Sequence, residues 1–279
     1  MAPPCGLVAI VTGASRGVGR GCAVELGAAG ASVYVTGRTL HDGDAALPGS
    51  IASAAQAVDA AGGRGIAVAC DHRDDAQVAA LFERVEREQG RLDVLVNNAF
   101  LIPPELTSGR KFWEVPISNW DDMLDVGTRS AFVASAHAAR QMIRVRRGLI
   151  VNISSSGARH YAWHVCYGVG KAALDRLSAD TAHELAPYGV AVVSLWPGLV
   201  LTERVERVRE QLPGLAAVRG ESPRFSGRAV VALAMDPEVL RLTGQALASR
   251  DLALRYGFRD VDGSLPDGPL DERPVPEPR

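Results

Sequence analysis

Leu7-Val8-Ala9-Ile10-Val11-Thr12-Gly13-Ala14-Ser15-Arg16-Gly17-Val18-Gly19 passes from an unbroken apolar run into a glycine-rich turn. Helical periodicity starts directly after it, with Ala23, Leu26 and Gly27 leading to a stop at Gly30. Strand, glycine turn and helix in that order make a phosphate cradle: glycines let the backbone approach an anion, and the helix N-terminus attracts negative charge. A lone glycine triplet is a weak signal, but one that follows a strand and opens a helix meets the condition for dinucleotide binding. Gly13, Ser15, Arg16, Gly17, Val18 and Gly19 are thus candidate cofactor-binding residues.

The same alternation continues outward. Ser32 to Thr36 reads as a second strand, Ile66 to Cys70 as a third, Leu92 to Val96 as a fourth, Gly148 to Ile153 as a fifth and Val190 to Trp196 as a sixth. Gly244 to Ala248 is a candidate last strand. Helical patterns separate them: Ile51 to about Ala61 behind a Ser50 cap, Asp75 to Gln89, a long helix capped by Ser118 towards Met142, and Ser226 to Met235. Strands alternating with helices predict an α/β protein, a single-domain Rossmann-type doubly wound parallel sheet, with its sites at the strand ends.

The end of the second strand bears on the cofactor. An NAD site usually carries Asp or Glu there for the ribose 2′-hydroxyl. This chain has Gly37-Arg38 and no acid until Asp42. Arg38 and Arg16 together would suit a 2′-phosphate by charge and fork geometry, so NADP(H) is expected ahead of NAD(H). Asp71, ending the third strand, is read either as an acceptor for the adenine amino group or as a helix cap.

Composition narrows the remaining classes. The 279 residues, 47% hydrophobic, can bury a substantial core, and a formal net charge of −2 gives no case for nucleic acid or an anionic membrane. Cys5, Cys22, Cys70 and Cys166 are scattered without metal-ligand spacing, which predicts reduced, buried thiols and no metal. No apolar run approaches the ~18 residues of a membrane span and no secretory signal is visible, so a cytoplasmic location is expected. Residues 200–226 are charged and broken by Pro and Gly, which suits a mobile lid over a domain spanning 1–259. From Asp260 to residue 279 the composition reads as a disordered tail.

The chemistry concentrates in Cys166-Tyr167-Gly168-Val169-Gly170-Lys171. A tyrosine and a lysine four residues apart share one helix face. A neighbouring ammonium favours the phenolate and would bring the Tyr167 phenol towards neutral pH as a general acid/base. Tyr-x-x-x-Lys alone is a common chance pair; here it follows Ser154-Ser155-Ser156-Gly157 at the end of the fifth strand. Between them, His160, Tyr161, Trp163 and His164 form either an aromatic pocket rim, suited to a bulky apolar carbonyl compound, or an ordinary packed loop.

Taken together, Thr12-Gly-x-x-x-Gly-x-Gly19, Asn97-Asn98-Ala99, Ser155, Tyr167-x-x-x-Lys171 and Pro197-Gly198 resemble, in order and spacing, the short-chain dehydrogenase/reductase family. A narrower likeness, carried by Trp120-Asp121-Asp122, Asp125-Val126-Gly127 and Arg255-Tyr256-Gly257-Phe258, is to its dehydrogenase/reductase member 1 group. The resemblance implies carbonyl/alcohol interconversion by hydride transfer on a small-molecule substrate. Ser155 would orient the carbonyl, Tyr167 would pass the proton, and Lys171 would hold the nicotinamide ribose. It adds Asn98, Ala99, Pro197, Gly198, Val200 and Thr202 to the cofactor contacts, and a homodimer or homotetramer as the assembly. Two departures stand out: Phe100 where many members have Gly, and Gly127 where the family carries a helix Asn that feeds a water relay to the lysine. The alternative reading is a non-catalytic NADP(H)-binding scaffold or redox sensor, with Gly127 marking lost chemistry.

Overall fold

The structure, a computed structural model, describes residues 6–209 and 218–269. Seven parallel strands form one sheet: Val8–Val11 (β1), Ser32–Gly37 (β2), Arg64–Ala69 (β3), Val94–Asn97 (β4), Gly148–Ile153 (β5), Val190–Trp196 (β6) and Ala246–Ala248 (β7). Their order is β3-β2-β1-β4-β5-β6-β7, so the direction of winding reverses between β1 and β4. In such sheets the crevice beyond the carboxyl ends at that reversal is where ligands bind.

Side-chain alternation along β1 builds both halves of the core. Ala9 and Val11 point to one face, where they meet Cys22, Ala23 and Leu26 of Gly17–Ala28 (α1) and Ala54 and Val58 of Ile51–Ala60 (α2). Val8 and Ile10 point to the other, onto Val78, Leu81, Phe82 and Val85 of Asp75–Gln89 (α3). With both faces covered, β1, β4 and β6 are buried along their whole length, as their apolar runs require.

The helix read from Ser118 to Met142 is interrupted. Ser118–Leu124 (α4) passes into a π-helical turn at Asp125–Arg129 and resumes as Ser130–Val145 (α5). Gly127 lies in the middle of that turn, and Ser118 is the first helical residue rather than the cap, which falls on Ile117. The helix carrying Tyr167 starts earlier than its residue pattern announces, at Val165, and runs to Leu185 (α6). Its cap is His164, whose Nδ1 accepts from the Cys166 amide at 3.3 Å.

Beyond β6 come Glu203–Arg209 (α7), Pro223–Met235 (α8) and Ser249–Tyr256 (α9), of which the first and last are not apparent from sequence pattern. Part of the stretch read as a disordered tail is packed. The Asp260 carboxylate is buried and accepts from the Ser222 amide at 2.7 Å and from the Ser222 hydroxyl. Asp267 and Arg219 exchange two bonds, Asp267 N to the Arg219 carbonyl and Arg219 N to the Asp267 carboxylate, each 3.0 Å. The remainder of that predicted tail lies outside the described residues. Among the described residues no helix is long and apolar enough to cross a membrane.

Candidate active site

The glycine turn sits at the carboxyl end of β1 and is braced from β4. Gly13 and Gly17 have φ of +62° and +55°, values that side-chain-bearing residues rarely take. The Asn98 amide group donates to the carbonyls of Thr12 and Gly13, both at 2.9 Å, so this side chain shapes the turn. In return Thr12 Oγ1 accepts from the amides of Asn98 and Ala99, also at 2.9 Å. Thr12 was visible only as part of a motif; its role as a two-amide acceptor emerges from the pairing of β1 with β4.

The first amide of α1 already binds an acid. Gly17 N donates to the Glu203 carboxylate, at 3.1 Å to Oε2, and the Thr202 methyl lies beside Gly17. Nothing in the sequence marks Glu203 as a partner of a turn 186 residues away.

The two arginines read as phosphate ligands differ. The Arg16 guanidinium turns onto the 47–49 loop, donating to the carbonyls of Pro48 (3.0 Å), Leu47 (3.3 Å) and Gly49 (2.8 Å), and to Thr39 Oγ1 (3.3 Å). Arg38 stays exposed at the end of β2, with Nη1 3.9 Å from Asp71. The cap of α3 is Asp74, which accepts from the amides of Ala76 and Gln77, so the capping alternative for Asp71 does not hold.

At the end of β5 the serine triplet separates into distinct environments. Ser154 is buried and its hydroxyl donates to the Lys171 carbonyl at 3.3 Å. Ser155 Oγ accepts from the Gly157 amide at 2.9 Å and lies beside Tyr167, the two side chains flanking Gly157. Burial raises the Tyr167 phenol above its ordinary value, and the Ser155 contact opposes that only in part. The expected depression by Lys171 is therefore not what this geometry produces. Lys171 Nζ donates to the Ile153 carbonyl at 2.8 Å and lies 5.8 Å from the Tyr167 ring centroid. Burial pulls its own ammonium down to about 8.

Beside this cluster lies an apolar wall of Leu106, Met123 and Cys166, packed with Phe100, Ile102 and Trp163. Trp163 also packs against Leu199 and Val218, joining the loop before α6 to the segment after β6. Its φ of +61° is unusual for an aromatic residue. Tyr161 is largely exposed and His164 is occupied as a cap. Pro197 and Gly198 follow β6. The Gly198 amide donates at 3.0 Å to Glu221, which also accepts from Ser226 and Ser249, both at 2.6 Å. Val200 bridges to Glu221 as well, and burial raises that carboxyl to about 7. No group of metal-ligating side chains occurs among the described residues.

A sequence model described as short chain dehydrogenase matches residues 7–213. The chain belongs to the short-chain dehydrogenase/reductase family. This short-chain dehydrogenase/reductase is 48% identical over 276 residues to Dehydrogenase/reductase SDR family member 1 of Mus musculus, covering 94% of this chain and 86% of that protein. It is 34% identical over 251 residues to the short-chain reductase protein NovJ of Streptomyces niveus, covering 86% and 91%. Among solved structures, one from Xanthomonas campestris aligns with TM-score 0.81 at 29% identity, covering 94% and 97% of the two chains. A short chain dehydrogenase of Mycobacterium thermoresistibile aligns with TM-score 0.77 at 26% identity, covering 91% and 89%. As an oxidoreductase of this family, the protein uses a nicotinamide cofactor and acts on small molecules.

The turn fits such a cofactor. A Cβ on Gly19 would lie 2.4 Å from Asn98 Nδ2, so the cradle depends on a bare backbone there. The α1 amide already holding a carboxylate has the polarity that a pyrophosphate needs.

Proposed function

We propose that the protein is an NADP(H)-dependent reductase that interconverts a ketone or aldehyde and its alcohol, with Tyr167 as general acid/base. The observation that carries this reading is the convergence of Ser155, Tyr167 and buried Lys171 at the carboxyl end of β5: Ser155 Oγ and the Tyr167 ring flank Gly157, and Lys171 Nζ lies 5.8 Å from the Tyr167 ring centroid. A phenol raised by burial rests in its protonated form at neutral pH, which is the form a reduction consumes. Ser155 positions the substrate oxygen next to that proton, and Lys171 stabilises the phenolate left behind and holds the nicotinamide ribose. When bound, the nicotinamide supplies or accepts the hydride. Gly13, Ser15, Gly17, Val18, Gly19 and Thr202 would line the pyrophosphate; Ala99, Pro197, Gly198 and Val200 would flank the nicotinamide. Arg38 is the exposed cation for a 2′-phosphate, with Arg16 shaping the loop beside it. The substrate is an apolar carbonyl compound received by Phe100, Ile102 and Trp163. The lid expected over 200–226 has its middle, 210–217, outside the described residues; the assembly is a homodimer or homotetramer in the cytoplasm.

The test is NADPH oxidation against a panel of apolar ketones and aldehydes, with Tyr167→Phe expected to lower turnover by about 100-fold or more. Full turnover in that variant would remove Tyr167 from the reaction. One observation favours the second reading, a non-catalytic cofactor-binding scaffold: Lys171 faces the Ile153 carbonyl. Tight NADPH binding with no turnover across the panel would support it.

A further inference from the structure

Phe100 follows Asn97-Asn98-Ala99 after β4, and Gly127 lies in the π-helical turn between α4 and α5. In sequence these are two unrelated departures from the family pattern. In the fold they touch. A Cβ built on Gly127 would stand 3.0 Å from Phe100 Cδ2 and 3.2 Å from Cε2, so any longer side chain at 127 would displace the ring. The ring in turn fills the space that a missing side chain leaves.

The ring has two further neighbours. Lys171 Nζ lies 4.7 Å from its centroid, within cation–π range. Tyr167 meets it edge-on, with centroids 6.0 Å apart and planes at 75°. Lys171 is only 8% exposed, and the Ile153 carbonyl accepts just one of the three protons its ammonium carries. An aromatic face supplies diffuse negative charge to the remainder at little further cost in hydration, because Lys171 is already buried.

We propose that Phe100 is a positioning residue whose ring face holds the buried Lys171 ammonium beside Tyr167, and that Gly127 is the residue that admits the ring. The proposal rests on the reading of Tyr167 and Lys171 as the acid/base pair. It makes the two departures a single exchange: an aromatic face stands where a polar side chain would otherwise reach the lysine.

The titratable group acting on Lys171 is Asp175 of α6, and the Tyr167 ring of the same helix lies 5.8 Å away; β5 presents the Ile153 carbonyl, and the loop after β4 presents Phe100. Arg129, at the end of the π-helical turn, is paired with Asp75 of α3 and acted on by Asp125.

The chain contains two lysines, Lys111 and Lys171, so protein labelled with 13C-lysine gives two side-chain resonances, assigned with Lys171→Met. Titrating the intact protein reads Lys171 directly, with Lys111 as the internal reference. Phe100→Leu is expected to lower the Lys171 pKa by about half a unit or more, and to move the pH profile of alcohol oxidation towards alkali. Phe100→Tyr, which keeps the ring face, is expected to preserve the Lys171 titration. Gly127→Asn alone should displace the ring and lower Lys171 as Phe100→Leu does, and Phe100→Gly with Gly127→Asn should recover activity lost in either single variant. Should Phe100→Leu fail to fold, Phe100→Met carries the same expectation. An unchanged Lys171 titration in a folded Phe100→Leu or Phe100→Met variant overturns the proposal. Because the titration needs no turnover, a shifted lysine in a protein inactive on every carbonyl would count against the reductase reading and leave the Phe100 contact standing.

Discussion

His72 shows how a single buried side chain sets a pH limit. It is 5% exposed, and its Nε2 lies 2.8 Å from Thr36 Oγ1. That hydroxyl also reaches the Val11 carbonyl at 3.2 Å, an arrangement that suits Nε2–H as the donor to Thr36. Burial pulls the imidazole from 6.5 down to about 4. The folded chain therefore favours neutral His72, and its contribution is present above pH 6.5 and is lost as pH falls towards 4. Between pH 7 and pH 5 the loss should be about 2 kcal/mol. Urea denaturation of His72→Gln should show that much less acid sensitivity, and an unchanged slope would remove His72 from the explanation. In the function proposed above, cofactor choice turns on Arg38, exposed at the end of β2. Replacing a charge-assisted phosphate contact by an acid in Arg38→Asp should raise the NADPH KM about 10- to 100-fold and lower that for NADH. Equal effects on both cofactors would contradict a 2′-phosphate at this position.

Among the elements, α1 and α8 pack at very close range. A Cβ on Gly21 would lie 2.0 Å from the Pro223 carbonyl, and one on Gly227 would lie 2.5 Å from the Gly21 carbonyl. The helices thus meet backbone to backbone, with Glu25 of α1 taking Arg224 of α8 at 2.6 Å. Alanine at Gly21 gains about 1 kcal/mol of helix propensity, but the clash is with a carbonyl that cannot rotate away. We expect Gly21→Ala to lower stability by about 2 kcal/mol net, the usual scale for overpacking, and to weaken cofactor binding because α1 carries the glycine turn. A urea midpoint at or above that of the parent would show that the helices separate without loss. The α4–α5 break belongs to this scale too: periodicity announced one helix, and an interruption of the hydrogen-bond ladder leaves apolar spacing almost untouched.

At the scale of the whole molecule, register places Asn152 beside Asn97 on one strand and Ser194 on the other. Asn97 Nδ2 donates to Asn152 at 2.8 Å, Asn152 Nδ2 to Ser178 at 2.8 Å, and Ser178 meets Ser194 at 2.9 Å. This buried chain ties β4, β5, α6 and β6 together beneath the site, and no local motif announces it. On the outside, Val165 and Val169 lie one turn apart on α6, and they and Phe132 of α5 are exposed. The homo-oligomer proposed above would use these exposed apolar residues as its contact. Val169→Glu should shift the protein towards monomer in light scattering at micromolar concentration, and a parent that is already monomeric would rule this face out.

What the residues alone carried was local. Short apolar runs marked the strands, glycines marked the turn at β1, and the fixed interval from Ser155 to Tyr167 and Lys171 marked the candidate site. Each of these signals lies within one element or one loop, where propensity and spacing act. Composition misread 260–269 because Asp260 and Asp267 find partners 38 and 48 residues back in the chain. Glu203 at the glycine turn, Glu221 under Gly198, and the contact of Phe100 with Gly127 and Lys171 were settled only by tertiary structure. A residue's burial, and hence the charge state it can hold, is set by side chains that sequence order keeps far apart.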